Sequence, residues 1–292
     1  MTDLSKETLL FTISVRTWAA RKKAAGAANK IIHDAGAVDG ALRATKSLLP
    51  GAREHDAVMK SAGRLRTYVY ENTLPWMDGI RILKSSGYLN FTAGLRTLKA
   101  EHERNVDDFL NAYDTLINDA QVSLSSLFVA DDYPITSRLR ERFAVETRFM
   151  PVPSVGDWRV ELNAETISDL RRDVETQLKA SQAIAMKDVF DRVFEVVQTA
   201  YERLKDPDAI FRDSLVENAT KLCGILPTLN ITNDHRLDQL SKQIMSTLGK
   251  HNPSTLRKDP VVRKNTAAQM KDVMQKMGAL YRNQNGISHG SA

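Results

Sequence analysis

Two long stretches of the chain carry apolar residues at helical spacing. In residues 91–127 the apolar or neutral positions recur every three or four residues with no interrupting proline, which predicts one long amphipathic helix. A second stretch, from about Asn163 to Lys205, repeats the pattern and ends at Asp206-Pro207, because proline cannot continue the helical hydrogen bonds. Each helix must bury its apolar stripe, so we expect a long antiparallel, coiled-coil-like hairpin.

Shorter stretches alternate between apolar and polar residues and therefore predict strands. Residues 8–17 alternate and are rich in β-branched side chains, which favours a β-strand. Between the two long helices, residues 143–149 and 158–162 alternate on either side of Pro151 and Pro153, which predicts two strands joined by a proline turn. We expect these three strands to form a small antiparallel sheet near the tip of the hairpin.

The rest of the sequence predicts shorter helices, and together the elements predict a mainly α fold. Three helices are expected in the N-terminal part, at residues 18–30 (alanine-rich and basic), 41–49 and 52–72. Two more are expected in the C-terminal part: one is capped by Thr232 or Asn233 and closed by Gly249, and the last begins at Asp259-Pro260. Three consecutive regions result. They are a strand and basic helices in residues 1–75, the hairpin in residues 76–207 with its β tip at 128–162, and a helical region with a basic tail in residues 208–292.

Charge is segregated along the chain. Residues 1–66 hold 12 Lys and Arg against 6 Asp and Glu, residues 67–240 hold 20 against 28, and residues 241–292 hold 9 against 2. Clustered cations bind phosphates by releasing counterions, so both ends are candidates for contact with a polyanion. The same pattern suits self-association between basic ends and an acidic middle, and it also suits an ordinary solvated surface.

Size and composition exclude several classes of protein. The chain has 292 residues, of which 42% are hydrophobic and 26% charged, as in folded soluble proteins. The single cysteine, Cys223, excludes an internal disulfide framework and a multi-cysteine metal site. No apolar run approaches the roughly 18 residues of a membrane span, and no signal peptide opens the chain, so we expect a cytoplasmic protein.

No group of residues has the spacing of a catalytic, metal or cofactor site. The six histidines are scattered, and His102 lies on the stripe of the first long helix, where a buried, hydrogen-bonded histidine is the commoner interpretation. Cys223 lies in an apolar stretch, which favours a buried, unreactive thiol. There is no glycine-rich phosphate loop, no Ser-His-Asp arrangement and no pair of carboxylates. The sequence therefore predicts no cofactor and no enzymatic activity.

Two basic segments supply the candidate functional residues. The candidates are Arg16, Trp18, Arg21, Lys22 and Lys23 in the first segment, and Arg257, Lys258, Arg263 and Lys264 in the second. The Trp18 ring can stack on a base while its basic neighbours hold phosphates, or it can anchor the corner between strand and helix in the core. The second segment flanks the start of a helix, where free amides attract anions, although Asp259 occupies the cap position.

Three blocks of the sequence resemble one family of phage and integrative-element proteins. The blocks are ISVRTWAARKK, then YPITSRLRERF followed by PVPSVGDWRVEL, and STLRKDPVVR. They resemble the uncharacterised family known as domain of unknown function 3150, and the similarity extends over most of the chain. That family has no established activity to carry over. Its genes lie near AAA-type ATPases or phage recombination functions, so the resemblance implies DNA metabolism in a bacterial cytoplasm.

Taken together, the sequence favours a non-enzymatic, homo-oligomeric DNA-associated protein of a phage or mobile element. Its basic termini would contact phosphates, and its long helices would carry assembly. The alternative is a protein-interaction adaptor or scaffold, for example a partner of an AAA-type ATPase, without affinity for nucleic acid. Titration with DNA at two salt concentrations separates these two hypotheses.

Overall fold

The protein is mainly helical, as the sequence predicts. A computed structural model describes residues 4–153 and 163–284. The helices are α1 (Leu4–Glu7), α2 (Ala25–Asp34), α3 (Arg53–Asn72), α4 (Tyr88–Leu124), α5 (Thr136–Arg140), α6 (Ala164–Lys205), α7 (Ser214–Leu229), α8 (His235–Ile244), α9 (Pro253–Lys258) and α10 (Pro260–Gln284). The strands are β1 (Thr8–Arg16), β2 (Arg21–Lys23), β3 (Thr45–Ser47), β4 (Leu74–Met77), β5 (Ile80–Lys84) and β6 (Ala144–Pro151).

Four of the strands form a small sheet in the order β4-β5-β1-β6. Strand β5 is antiparallel to both neighbours, and Thr8 of β1 lies opposite Lys84 of β5. The alternation in residues 8–17 and 143–149 thus correctly predicted β1 and β6, whereas β4 and β5 were not predicted. The strand expected at residues 158–162 lies outside the described residues.

The chain divides into two compact units, each built from separated segments. Unit 1 consists of Met1–Thr12, Glu71–Leu89 and Phe149–Ala292, and unit 2 consists of Ile13–Tyr70 and Asn90–Arg148. The divisions fall within β1, α3, α4 and β6, so each of these elements contributes residues to both units.

The core of unit 1 forms around the apolar stripe of α6. Val189, Val193 and Val197 on this stripe are fully buried, and so are Met270 and Met277 of α10. Helix α6 packs against α10, β4 and α7. Each fully buried side chain of this size contributes about 1.5–3 kcal/mol of hydrophobic stabilisation, so the stripe holds the long helix in place.

The core of unit 2 forms around α4, the helix predicted from residues 91–127. Val106, Phe109 and Tyr113 of α4 are buried in one cluster with Leu48 and Leu139. The helix itself is confirmed and continues as a short 3-10 turn at Ser125–Leu127.

The predicted hairpin of the two long helices is not confirmed. Helix α6 buries its stripe against elements of unit 1, whereas the buried side chains of α4 belong to unit 2. Helical periodicity identifies the face that a helix must bury, but it does not identify the surface that covers that face.

One predicted N-terminal helix is confirmed only in its second half, and another is wrong. Residues 21–23, expected to be helical, form β2, and helix α2 begins only at Ala25. The short helix expected at residues 41–49 is replaced by β3, which pairs antiparallel with β2 and places Lys46 opposite Lys22. Ala20 has a positive φ of 49°, which a right-handed helix does not accommodate. Pairing with β3 has therefore overridden the helical propensity of arginine and lysine at residues 21–23.

The C-terminal helices agree with the prediction except in detail. Helix α8 is capped by Asp234, whose side chain accepts from the amide of Arg236, instead of by Thr232 or Asn233. It continues as a π-helical turn at Met245–Gly249. Helices α7 and α9 were not predicted.

Candidate nucleic-acid interface

Strands β2 and β3 form an exposed, basic two-stranded ribbon. All three residues of β2, Arg21, Lys22 and Lys23, are exposed, and they lie opposite Ser47, Lys46 and Thr45 of β3. Side chains alternate between the two faces of a strand, so Arg21 and Lys23 share one face and Lys22 lies on the other.

On the Lys22 face a carboxylate neutralises the cations. Lys22 and Lys46 lie directly opposite each other, an arrangement that repels when no counter-charge is present. The Asp132 carboxylate lies 2.8 Å from the Lys46 ammonium and 3.8 Å from that of Lys22. Lys46 also donates to the backbone oxygen of Leu127 at 2.5 Å. These contacts tie the ribbon to the segment that follows α4.

The other face of the ribbon carries Arg21 and Lys23. Among the described residues, neither Arg21 nor Lys23 forms an ion pair. Arg16, which precedes the ribbon at the end of β1, forms an ion pair of 2.9 Å with Glu146, in which both side chains are more than half exposed. Arg21 and Lys23 are thus the N-terminal candidates best placed to accept a phosphate.

Trp18 is part of the core of unit 2. Its exposed fraction is 7%, and its ring makes edge contacts with His55 and Tyr113 and packs near Phe109. The backbone oxygen of Trp18 accepts a hydrogen bond of 2.8 Å from His55 Nε2. Of the two roles considered for Trp18, this burial favours the core anchor over stacking on a base.

Arg263 has a structural role at the end of α6. Its exposed fraction is 8%, which leaves no surface for a phosphate. The guanidinium donates to the backbone oxygens of Arg203 (2.9 Å), Leu204 (3.2 Å), Asp206 and Ala209 (2.9 Å). The last carbonyls of a helix have no partner within that helix, so Arg263 supplies donors that the end of α6 lacks.

The other three C-terminal candidates differ in their contacts. Arg257 donates to the Asp213 carboxylate at 2.6 Å and to the backbone oxygen of Phe211 at 3.3 Å. Lys258 and Lys264 are exposed and form no ion pair among the described residues.

Asp259 caps helix α10, as predicted. Its side chain accepts from the amides of Val261 and Val262 at 2.9 and 3.0 Å. These amides are therefore occupied by the protein's own carboxylate, and the basic side chains are what this surface offers an anion.

His102 and Cys223, the histidine and the thiol considered from the sequence, are both buried. The Ser61 hydroxyl donates to the backbone oxygen of Val58, and His102 Nδ1 lies 2.8 Å from Ser61 Oγ. Burial lowers the pKa of His102 and raises the pKa of the Cys223 thiol. Both Ser61 and His102 are 2% exposed, so this Ser-His pair has no access to a substrate.

Sequence reasoning did not single out two residues that shape the interface. Lys46 and Asp132 are far apart in the chain, and neither lies in a recognisable motif. The pairing of Lys46 with Lys22 becomes visible only once the register of the ribbon is known.

Comparisons with known proteins do not assign the chain to a family. No family model matches the chain, and neither the curated proteins nor the solved structures contain a match. Within the part of the chain that the structure describes, no helix is both long and apolar enough to cross a membrane. The same residues contain no group of His, Cys, Asp and Glu side chains that could hold a metal ion.

Proposed function

We propose that this chain is a non-enzymatic DNA-associated protein of a phage or mobile element that contacts phosphates through the β2–β3 ribbon. The observation that carries the proposal is the free face of the ribbon, where Arg21 and Lys23 are exposed and lack a carboxylate partner among the described residues. A two-stranded β-ribbon fits the major groove of B-DNA, and several DNA-binding proteins use strands in this way.

The proposed contact set is smaller than the set of basic candidates. It consists of Arg21 and Lys23 on the ribbon in unit 2 and of Lys258 and Lys264 in unit 1. Trp18 and Arg263 are left out because both are buried. Arg16, Lys22 and Arg257 are secondary, because each lies beside a carboxylate that already offsets its charge.

The first test removes the two free cations of the ribbon. We expect Arg21→Ala combined with Lys23→Ala to weaken binding to every duplex sequence alike, because contacts to phosphates carry no sequence information. Each lost phosphate contact should flatten the plot of log affinity against log salt by about one unit. Fluorescence anisotropy with labelled single- and double-stranded DNA at two salt concentrations measures both quantities.

A matched pair of substitutions provides the control. Arg171 and Arg172 are exposed on α6, and replacing both with Ala removes the same charge from another surface. This variant should bind as the wild type does. Equal loss in the two variants would mean that net charge, and not the ribbon, governs binding. Absence of DNA binding by the wild type at low salt would overturn the proposal.

The second candidate function is a protein-interaction adaptor or scaffold, for example for an AAA-type ATPase. It is favoured by the aliphatic side chains of Val122 (82% exposed), Leu127 (42%), Val129 (47%) and Ile135 (64%), which lie within 14 consecutive residues. Exposed apolar side chains concentrated in one segment are typical of protein contact sites. If the wild type binds no DNA, this function takes the place of the first.

A further inference from the structure

A cleft opens in unit 1 between the end of α6 and the start of α7. Its volume is about 370 Å³, within the range of small-molecule sites. It is lined by Glu195, Val196, Thr199, Arg203, Ile210 and Phe211, and by residues 212, 214, 215 and 218. The lining residues belong to unit 1 and the ribbon belongs to unit 2, so the two proposed sites share no residue.

One part of the cleft is apolar and unusually exposed. Val196 and Leu215 face the cleft from the two helices, and Phe211 forms part of its lining from the connecting loop. Ile210, in the same loop, is 89% exposed, the largest fraction among the large hydrophobic side chains described. Covering such a side chain with an apolar ligand releases water and is favourable.

The cleft also contains two cations. Arg203, in the last turn of α6, and Arg212, in the loop, are exposed, and neither forms an ion pair among the described residues. Glu195 is the one acidic side chain in the lining, and it lies eight residues before Arg203 on the same helix. At 1.5 Å per residue their backbone positions are about 12 Å apart along the helix axis, so the two charges lie toward different ends of the lining that α6 contributes.

The loop that carries Phe211 and Arg212 is held in place by two arginines, Arg257 of α9 and Arg263 of α10. The guanidinium groups of Arg257 and Arg263 lie 5.7 and 5.3 Å from the centre of the Phe211 ring. Both also donate hydrogen bonds to backbone oxygens of this loop, Arg257 to that of Phe211 and Arg263 to that of Ala209. A site ordered before binding loses less conformational entropy when the ligand arrives.

We propose that this cleft binds a small amphipathic anion, with its acidic group between Arg203 and Arg212 and its apolar body against Val196, Ile210 and Leu215. Guanidinium groups form charge-assisted hydrogen bonds with carboxylates and phosphates alike. A fatty acid and an alkyl phosphate therefore share the chemistry that the site recognises.

Isothermal titration calorimetry with octanoate, octyl phosphate, octanol and octylamine tests the proposal on the full chain. We expect one site for octanoate or octyl phosphate, at least tenfold tighter than for octanol or octylamine, because only the anions pair with the arginines. The ratio between the two anions identifies the preferred acidic group. Equal binding of octylamine and octanoate, or no binding of either anion up to about 10 mM, would overturn the proposal.

Variants locate the site. Arg203→Met and Arg212→Met should each weaken octanoate binding about tenfold or more while leaving the melting temperature unchanged, because both side chains are exposed. Ile210→Ser should weaken it severalfold through loss of apolar contact. Arg171→Met, which removes the same charge elsewhere on α6, should have no effect. Unchanged affinity in both cleft arginine variants would place any bound octanoate elsewhere and contradict the assignment.

Discussion

Arg263 is a buried cation whose guanidinium donates hydrogen bonds to backbone oxygens. Burying a charge is costly unless the surroundings replace the lost water, and here four carbonyl oxygens do so. Its neighbour Lys264 has the same charge and remains exposed. Adjacent basic residues therefore have different roles, one holding the end of α6 and the other available to solvent.

We expect Arg263→Met to lower the free energy of unfolding by about 3 kcal/mol, because the carbonyls at the end of α6 lose their donors in a buried site. Lys264→Met, the matched control, should change it by less than about 0.5 kcal/mol, as is usual at the surface. Urea unfolding of the two variants gives the comparison. A similar, small effect in both would show that Arg263 does not hold this end of the helix.

We expect the burial of His102 to make the stability of the protein depend on pH. Burial lowers the pKa of His102 below its ordinary value of 6.5, so the unfolded chain binds this proton more readily than the folded protein. The folded state therefore keeps its full stability with respect to this group above pH 6.5. The free energy of unfolding decreases as the pH falls from 6.5 toward the lowered pKa of His102 in the folded state.

The expected loss is at most about 1.4 kcal/mol per pH unit for a single proton. His102→Gln should flatten the dependence of unfolding free energy on pH below 6.5, and His33→Gln, at an exposed position, should leave it unchanged. Urea unfolding at several pH values between about 5 and 7 measures these slopes. Identical slopes in the wild type and the His102 variant would refute the assignment.

At the scale of elements, the ribbon depends on a residue outside its strands. Lys46 is nearly buried, with 8% of its side chain exposed, and Asp132 supplies its counter-charge. Without this carboxylate, Lys22 and Lys46 would repel each other across the ribbon. Asp132 therefore allows two opposed lysines to occupy one short pair of strands.

We expect Asp132→Asn to destabilise the ribbon by about 2 kcal/mol, because it leaves the Lys46 ammonium poorly compensated. Hydrogen exchange should then quicken at the amides of Ala24 and Leu48, which bond across the ribbon to Ala44 and Ala20. The same amides should be unaffected by Asp169→Asn, which breaks an exposed ion pair on α6. Unchanged exchange in the Asp132 variant would show that the ribbon does not need the carboxylate.

At the scale of the whole molecule, we propose that copies of the chain associate through complementary charge and exposed apolar side chains. The basic ends and acidic middle of the sequence are complementary between copies, and residues 122–135 expose four aliphatic side chains. Assembly through charge weakens with salt, whereas assembly through apolar contacts does not, so salt dependence reveals which contribution dominates.

We expect sedimentation velocity to show a dimer or larger species at low salt that weakens as salt is added. Val122→Ser combined with Ile135→Ser should reduce association further if the apolar segment takes part, and both positions are exposed enough to keep the fold intact. A monomer of 32.7 kDa at high protein concentration and low salt would contradict self-association.

Much of the secondary structure was determined locally and could be predicted from the sequence. Helices α4 and α6 follow from apolar residues three or four positions apart, and β1 and β6 follow from alternation. Strands β4 and β5 escaped prediction because they have only four and five residues, too few for a clear period. The basic residues of the candidate site could be identified from the sequence. The sequence did not show which of them pair with a carboxylate in the folded protein.

The use of these elements and side chains depends on tertiary contacts. Arg21–Lys23 form a strand because β3 lies beside them, and Arg263 is buried because the end of α6, about 60 residues earlier in the chain, lacks donors. Hydrogen bonds within a helix join residues four positions apart, so local patterns suffice to predict the long helices. Strand pairing, ion pairing and the surface that covers each apolar stripe join residues far apart in the chain, and no local pattern encodes them.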